Sequence, residues 1–284
     1  MNMFRDWLPG ALVAASLLVA GFPFPGGAQS WRSVTMSRQL AGEEELDVRI
    51  RFGAGRLAIE AGDPGTLYRM HLHYDEESFE PVAEYEGGWL DLGVEGTKHN
   101  IRWPKDETQE MELALARGVP MNLDVEFGAG RADLDLGGIQ MTQLRLRTGA
   151  SESRIDISEP NPIRMSNANF EVGAADFQVR NLGNLNSERI NVDAGVGNVV
   201  LGFQGDWQRE ATVSVDMGLG ALELRFPEGL GVRLVKDTFL TSLDSEGLMK
   251  RGDSFYSPDW EEAEHRVTVT VDAAFGSINV VWVH

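Results

Sequence analysis

His71 and His73 occupy alternate positions in the run Leu67 to Tyr74, and Asp75 follows two residues on. On a β-strand that spacing places both imidazoles on one face. Two imidazoles and a carboxylate suit Zn²⁺, which takes nitrogen and oxygen ligands in four-coordinate sites. The remaining ligands would have to come from elsewhere, His99 and Glu84 being the candidates. A surface histidine pair on an edge strand is therefore the expectation. A second constellation is Asp193, Asp216 and Asp272, which fall at equivalent positions of a repeat. Carboxylates stacked at strand spacing repel, and either a hard cation such as Ca²⁺ or flanking arginines would relieve them. The glycine-aspartate calcium repeat of secreted β-helices is missing, which favours a solvated acidic face over a calcium site.

Templates for covalent and group-transfer chemistry fail. Gly149-Ala150-Ser151-Glu152-Ser153 lacks the closing glycine of a nucleophile elbow. No His-Glu-x-x-His, phosphate loop or dinucleotide fingerprint occurs. Carboxylate pairs are abundant, but nothing singles one out for glycoside hydrolysis. The expectation is a protein that is not an enzyme. A solenoid enzyme acting on polysaccharide, a lyase or hydrolase, is the alternative, and it calls for Arg, Lys or Tyr clustered with acids on one outward face. The tripeptide Arg251-Gly252-Asp253 reads as a turn.

The elements that carry these residues follow a repeat. Alternating apolar residues lead into a Gly-x-Gly turn and alternate again after it, as in Val48 to Ile59 around Gly53-Ala54-Gly55. Equivalent turns begin at positions 53, 128, 149, 173, 195, 218 and 274, with successive spacings of 75, 21, 24, 22, 23 and 56 residues. Period two on both sides means strands. One column, Ile50, Val125, Leu146, Phe170, Val192, Val215 and Val271, is apolar throughout. The next, Arg51, Glu126, Arg147, Glu171, Asp193, Asp216 and Asp272, is charged throughout. A single repeat cannot bury its apolar face, so the copies must stack. The alternating signs from Arg51 to Glu171 suit a cross-rung ladder that fixes register.

The expected fold is all-β: a repeat, β-solenoid-like stack of about seven strand–Gly-x-Gly–strand rungs, with hairpin insertions at each end. Residues 29–120 hold the first rung and one insertion, broken at Asp63-Pro64-Gly65, Gly87-Gly88 and Pro104. Residues 121–225 hold the central repeats. Residues 226–284 hold a capping segment and the last rung. Residues 1–28 read as a signal peptide: Arg5, an apolar run from Ala11 to Ala20, breakers at Pro23 and Pro25, then Gly26-Gly27-Ala28. That run is shorter than the ~20 residues a spanning helix needs. The mature chain is thus expected to be periplasmic or extracellular and not to span a membrane.

Composition narrows the partners. The chain has 284 residues, 44 Asp and Glu against 25 Lys and Arg, a formal charge of −19 and no cysteine. That charge argues against nucleic acid and anionic membrane surfaces as partners. The lack of cysteine excludes disulfides, thiolate zinc and lipid attachment through cysteine.

The C-terminal third carries Gly218-Leu219-Gly220-Ala221-Leu222-Glu223-Leu224-Arg225-Phe226-Pro227-Glu228-Gly229, then Lys250-Arg251-Gly252-Asp253-Ser254-Phe255-Tyr256, then Trp260 and Ala263. This order resembles the LiaF-like C-terminal domain of bacterial cell-wall-antibiotic response proteins, and the wider toastrack group of candidate adhesins, most closely over residues 205–284. The resemblance implies an all-β bacterial protein of the cell envelope, tied to stress response or adhesion, and carries no catalytic residues. A signal peptide stands where the LiaF type has membrane helices, so coupling to a sensor kinase is not implied. The expected function is non-catalytic surface binding of an envelope polymer or protein partner.

Overall fold

The computed structural model describes residues 30–97 and 108–283, so His99 and residues 1–28, read above as a signal peptide, lie outside the described residues. In chain order the strands are β1 (Trp31–Gln39), β2 (Leu46–Ala61), β3 (Thr66–Asp75), β4 (Phe79–Glu86), β5 (Trp89–Gly96), β6 (Glu110–Leu115), β7 (Met121–Asp135) and β8 (Met141–Asp156). They continue as β9 (Ala168–Arg180), β10 (Arg189–Gly202), β11 (Ala211–Pro227), β12 (Gly231–Asp244), β13 (Met249–Arg251), β14 (Ser254–Tyr256) and β15 (Arg266–Val283). The only helical element among the described residues is a 3-10 turn at Leu182–Leu185. The protein is all-β.

Long parallel strands in the order β2, β7, β8, β9, β10, β11, β15, β12 form the body of one sheet. The first seven are the rungs expected from the turn spacing. β12 is an eighth, and it lies outside β15 although it precedes it in sequence. The sequence reading missed it because its bend, Thr238-Phe239-Leu240, contains no glycine.

Each rung bends at its turn. Phe170 and Phe177 lie on one strand, seven residues apart, a distance of about 23 Å if the chain ran straight. Their ring centroids are 5.8 Å apart. The two arms of a rung therefore face each other, and their inward columns meet in one core. Ile50, Val125, Leu146, Phe170, Val192, Val215 and Val271 are all buried in it. So are Leu57, Ile59, Leu134, Ile155, Phe177, Val179, Val199, Leu201, Leu222, Leu224, Ile278 and Val280 on the second arms.

The return loops close the third side of the coil with Leu136, Ile157, Met165, Leu185, Phe203 and Trp207. Buried asparagines satisfy the loop carbonyls there: the Asn161 amide donates to the Met141 carbonyl at 2.8 Å, and Asn184 to that of Ile157 at 2.7 Å. Such pairing is what allows irregular backbone to be buried without a desolvation penalty.

Glycine at the bend has a specific cause. Gly220 has φ +148°, and a β-carbon there would collide with the Gly197 carbonyl oxygen of the preceding rung. Where two neighbouring rungs carry Ser151 and Ala175 at this position, their ladder lapses between Thr148↔Val172 and Glu152↔Asp176.

The ends are capped unequally. On the first arm of β2, β5 pairs with Asp47–Arg51 and β4 lies outside it. On the second arm, β6 pairs with Arg56–Ala61, followed by β3 and then β1. At the far end the β14–β13 hairpin covers only Arg233–Val235, on the first arm of β12. The insertions thus lie at both ends of the stack, as the turn signals at Gly87-Gly88 and around residues 226–265 suggested.

Candidate binding surface

The outward charged column splits into two halves. In the first, Glu126 lies between Arg49 of the preceding rung, at 3.1 Å, and Arg147 of the next. Arg147 also reaches Asp124 at 2.9 Å, Arg51 reaches Asp91 at 2.8 Å, and Arg145 donates to Glu171 at 3.0 Å. Burial opposes the charge on Arg51 and Arg147, but Asp91 and Asp124 outweigh it and raise both guanidinium pKa values. This half is a register-fixing ladder of cross-rung ion pairs, although the Nε atoms of Arg49, Arg51 and Arg147 and the Oδ1 of Asp91 are buried without a hydrogen-bond partner among the described residues.

In the second half the arginines stop. Glu171, Asp193, Asp216, Asp272 and Asp237 occupy successive rungs at one height. Among the described residues, no salt bridge joins Asp193 or Asp216 to a cation. Partial desolvation, then the charges of Asp216 and Glu171, push the Asp193 carboxyl above its ordinary range. The sequence-predicted trio Asp193, Asp216 and Asp272 is therefore brought together, and Asp237 extends it. Asp237 escaped the sequence reading with the rest of β12.

Three residues after each member of the charged column, at the apex of the bend, a second column changes character. Its first members are Ala54, Ala129, Ala150 and Ala174. The next four are Val196, Leu219, Phe275 and Leu240, paired in register on adjacent strands. They are 51 %, 51 %, 46 % and 62 % exposed. Four rungs at ~4.8 Å make an apolar ridge roughly 14 Å long. Its signal, the middle residue of the turn growing from alanine to large apolar types, is present in the sequence. Asp193, Ala194, Gly195, Asp216, Met217, Gly218, Asp272 and Ala274 line a shallow groove beside it. Fixed carboxylates beside exposed apolar groups can hold a partner that is both cationic and apolar.

The histidine pair lies elsewhere. The ring Nδ1 of His71 is 3.0 Å from the Thr35 hydroxyl, and that of His73 is 2.9 Å from the Ser33 hydroxyl. Trp31 stacks on His73 with centroids 5.0 Å apart. These contacts bind β1 to β3. Asp75 points away to cap its own turn, accepting from the Ser78 hydroxyl at 2.9 Å and the Glu77 amide at 3.1 Å. Among the described residues, no group of three His, Cys, Asp or Glu is arranged to hold a metal ion.

A larger hollow of about 580 Å³ lies on the outer face of the second arms, lined by Arg69, His71, Glu112, Asp133, Arg154 and Arg180 among others. Its arginines are engaged: Arg180 with Asp156 at 2.8 Å, Arg69 with Asp63 at 3.1 Å, and Arg154 with Glu152. Ser151 lies in the bend of β8, its hydroxyl 2.9 Å from that of Ser153. Gly252-Asp253 forms the two-residue turn between β13 and β14, and Arg251, at the end of β13, lies 3.2 Å from Glu261.

An all-β stack of bent parallel rungs defines the class. Within that class, the chain belongs to the toast_rack family: the domain described as "N-terminal domain of toast_rack, DUF2154" matches residues 26–180 and 163–225. That match falls on the stretch where the sequence reading found only the rung pattern. The fold is similar to that of a candidate cell adhesion protein from Clostridium sporogenes, with a TM-score of 0.50 and 15 % identity, covering 89 % of this chain and 100 % of that one. A candidate adhesin from Bacteroides fragilis is also similar, with a TM-score of 0.40 and 9 % identity, covering 89 % and 99 %. No curated protein matches the chain in sequence. No described helix is long and apolar enough to cross a membrane.

Proposed function

We propose that this chain is an exported cell-envelope protein that works without catalysis, binding a partner in an adhesin-like manner along the bend edge of its last four rungs. The observation that carries the reading is the ridge Val196, Leu219, Phe275 and Leu240, exposed beside an acidic column. Burying these side chains inside would have been the default for a fold with so continuous a core. Leaving four in a row at the surface suits an interface. Family membership and the adhesion-related names of its structural relatives support the same reading. The partner's contacting groups would be apolar and cationic, whether carried by an envelope polymer or a protein.

The test compares the mature chain with Leu219→Ser/Phe275→Ser and Asp193→Asn/Asp216→Asn on solubilised envelope fractions, with circular dichroism as the fold control. Wild type is expected to retain a defined partner that both variants lose. Equal retention by all three, or by none, overturns the reading.

A further inference from the structure

The two arm layers end differently, and that difference fits one copy of the chain onto another. In the first-arm layer both ends are guarded. β4, outermost at one end, carries Pro81 together with Glu80, Glu84 and Glu86, and the β14–β13 hairpin covers the other end. Proline and charge on an outer strand are the usual devices against edge pairing. The second-arm layer lacks both the proline and the covering hairpin. It ends on β1, nine residues without proline or acid, and on the second half of β12, Leu240 to Asp244. Among the described residues, nothing pairs with either outer edge.

We propose that these two edges join, so that copies of the chain stack head to tail, β12 of one copy taking β1 of the next as its parallel neighbour. Three observations carry this. The directions agree, because β1 is antiparallel to β3, β3 to β6, and β6 is parallel to the rungs. The heights agree too: unbroken registers run across the sheet from Thr35, through His71, Glu112, Ala58 and the intervening rungs, to Asp244. Stacking without a shift therefore sets Thr35 beside Asp244 and Trp31 beside the exposed Leu240. The charges are opposite, since β1 carries Arg38 and Arg32, the latter also 3.3 Å from Glu76, and no acid, whereas the far end carries Asp244 and Glu246 and no base between Leu240 and Met249.

The ends are also stepped in complementary senses. At the first end the second-arm layer extends three strands past β2 and the first-arm layer two; at the far end the first-arm layer extends two strands past β12 and the other none. Joined copies match to within one strand, ~4.8 Å, which bends the stack toward the shorter layer. A head-to-tail contact of this kind leaves a free end on every copy added, so it builds a curved, open chain of copies unless the curvature brings the two ends together in a ring.

Charge exchange tests it. The mature wild-type chain is expected to gain mass with concentration in sedimentation or light scattering, and to form curved filaments under the electron microscope. Arg32→Glu/Arg38→Glu and Asp244→Lys/Glu246→Lys should each need at least tenfold higher concentration. An equimolar mixture should recover assembly, because each variant's altered end then meets an opposite charge. A wild type that stays monomeric, a closed dimer, or variants that assemble unchanged overturns the proposal.

Discussion

Asp193 and Asp216 lie directly opposite one another in the parallel β10–β11 ladder, two carboxylates at one height with no arginine between them. Direct like-charge pairs across strands are destabilising. The sequence fills the same column upstream with alternating signs, so the acidic run is a local departure from the rule the fold otherwise follows. Departures of this kind concentrate where a surface has work to do.

Removing one charge should therefore stabilise the protein. Desolvation and the charges of Asp216 and Glu171 hold the Asp193 pKa above its unfolded value. A group of that kind lowers stability fully above its folded pKa, and the penalty fades as pH falls through the window down to the unfolded value. Asp193→Asn is expected to raise the melting temperature by about 1–2 °C at neutral pH, the residue being exposed and screened. The gain should vanish near pH 4. A gain independent of pH would show that charge is not its cause.

The same column bears on calcium. Each rung contributes one carboxylate, and a calcium site wants six to eight oxygens around one point. We expect calcium to raise the melting temperature no more than sodium at equal ionic strength, both acting by screening. A calcium-specific rise abolished by Asp216→Asn would instead make the column a cation site.

The core makes a sharper contrast between adjacent residues. Phe170 is fully buried against Phe177, whereas its neighbour Glu171 lies on the outer face and pairs with Arg145. Phe170→Ala should cost about 3–5 kcal/mol and Glu171→Ala well under 1 kcal/mol in denaturant titrations. Equal losses would mean that the two faces are assigned wrongly.

Much of this was legible in the residues themselves. Period-two alternation fixes which side chains face inward, so Ile50 through Val271 could be assigned to one column before any coordinates. Turn glycines mark the rungs because only glycine tolerates the approach of the neighbouring carbonyl, and that dependence also hid β12, whose bend does without one. The diagonal ties Arg49–Glu126–Arg147 and the pairing of His71 with Thr35 were not legible, because both depend on which strand lies alongside which. The ridge was legible in principle: Ala54 to Ala174 give way to Val196, Leu219 and Phe275 at one repeat position. It was overlooked because a turn's middle residue has no inward or outward face to assign.

Backbone approach supplies the last prediction. Gly220 combines positive φ with a carbonyl from Gly197 where a β-carbon would stand, and Gly276 stands in the same relation to Gly220. Gly220→Ala therefore asks for an unfavourable backbone conformation and a separation of two rungs at once, costs that neither side-chain rotation nor solvent can relieve. Ala174, by contrast, sits at the apex of its bend and is exposed, so Ala174→Ser changes nothing that is packed. We expect Gly220→Ala to destabilise by about 2–4 kcal/mol and Ala174→Ser by under 0.5 kcal/mol in the same titration. The rungs at Ser151 and Ala175 show how the chain copes without glycine, by giving up the ladder locally. If Gly220→Ala is tolerated, amide exchange should show the same local loss of protection around Leu219 and Phe275, with the arms on either side still protected. Tolerance with full protection at the bend would refute the close-approach argument for these glycines.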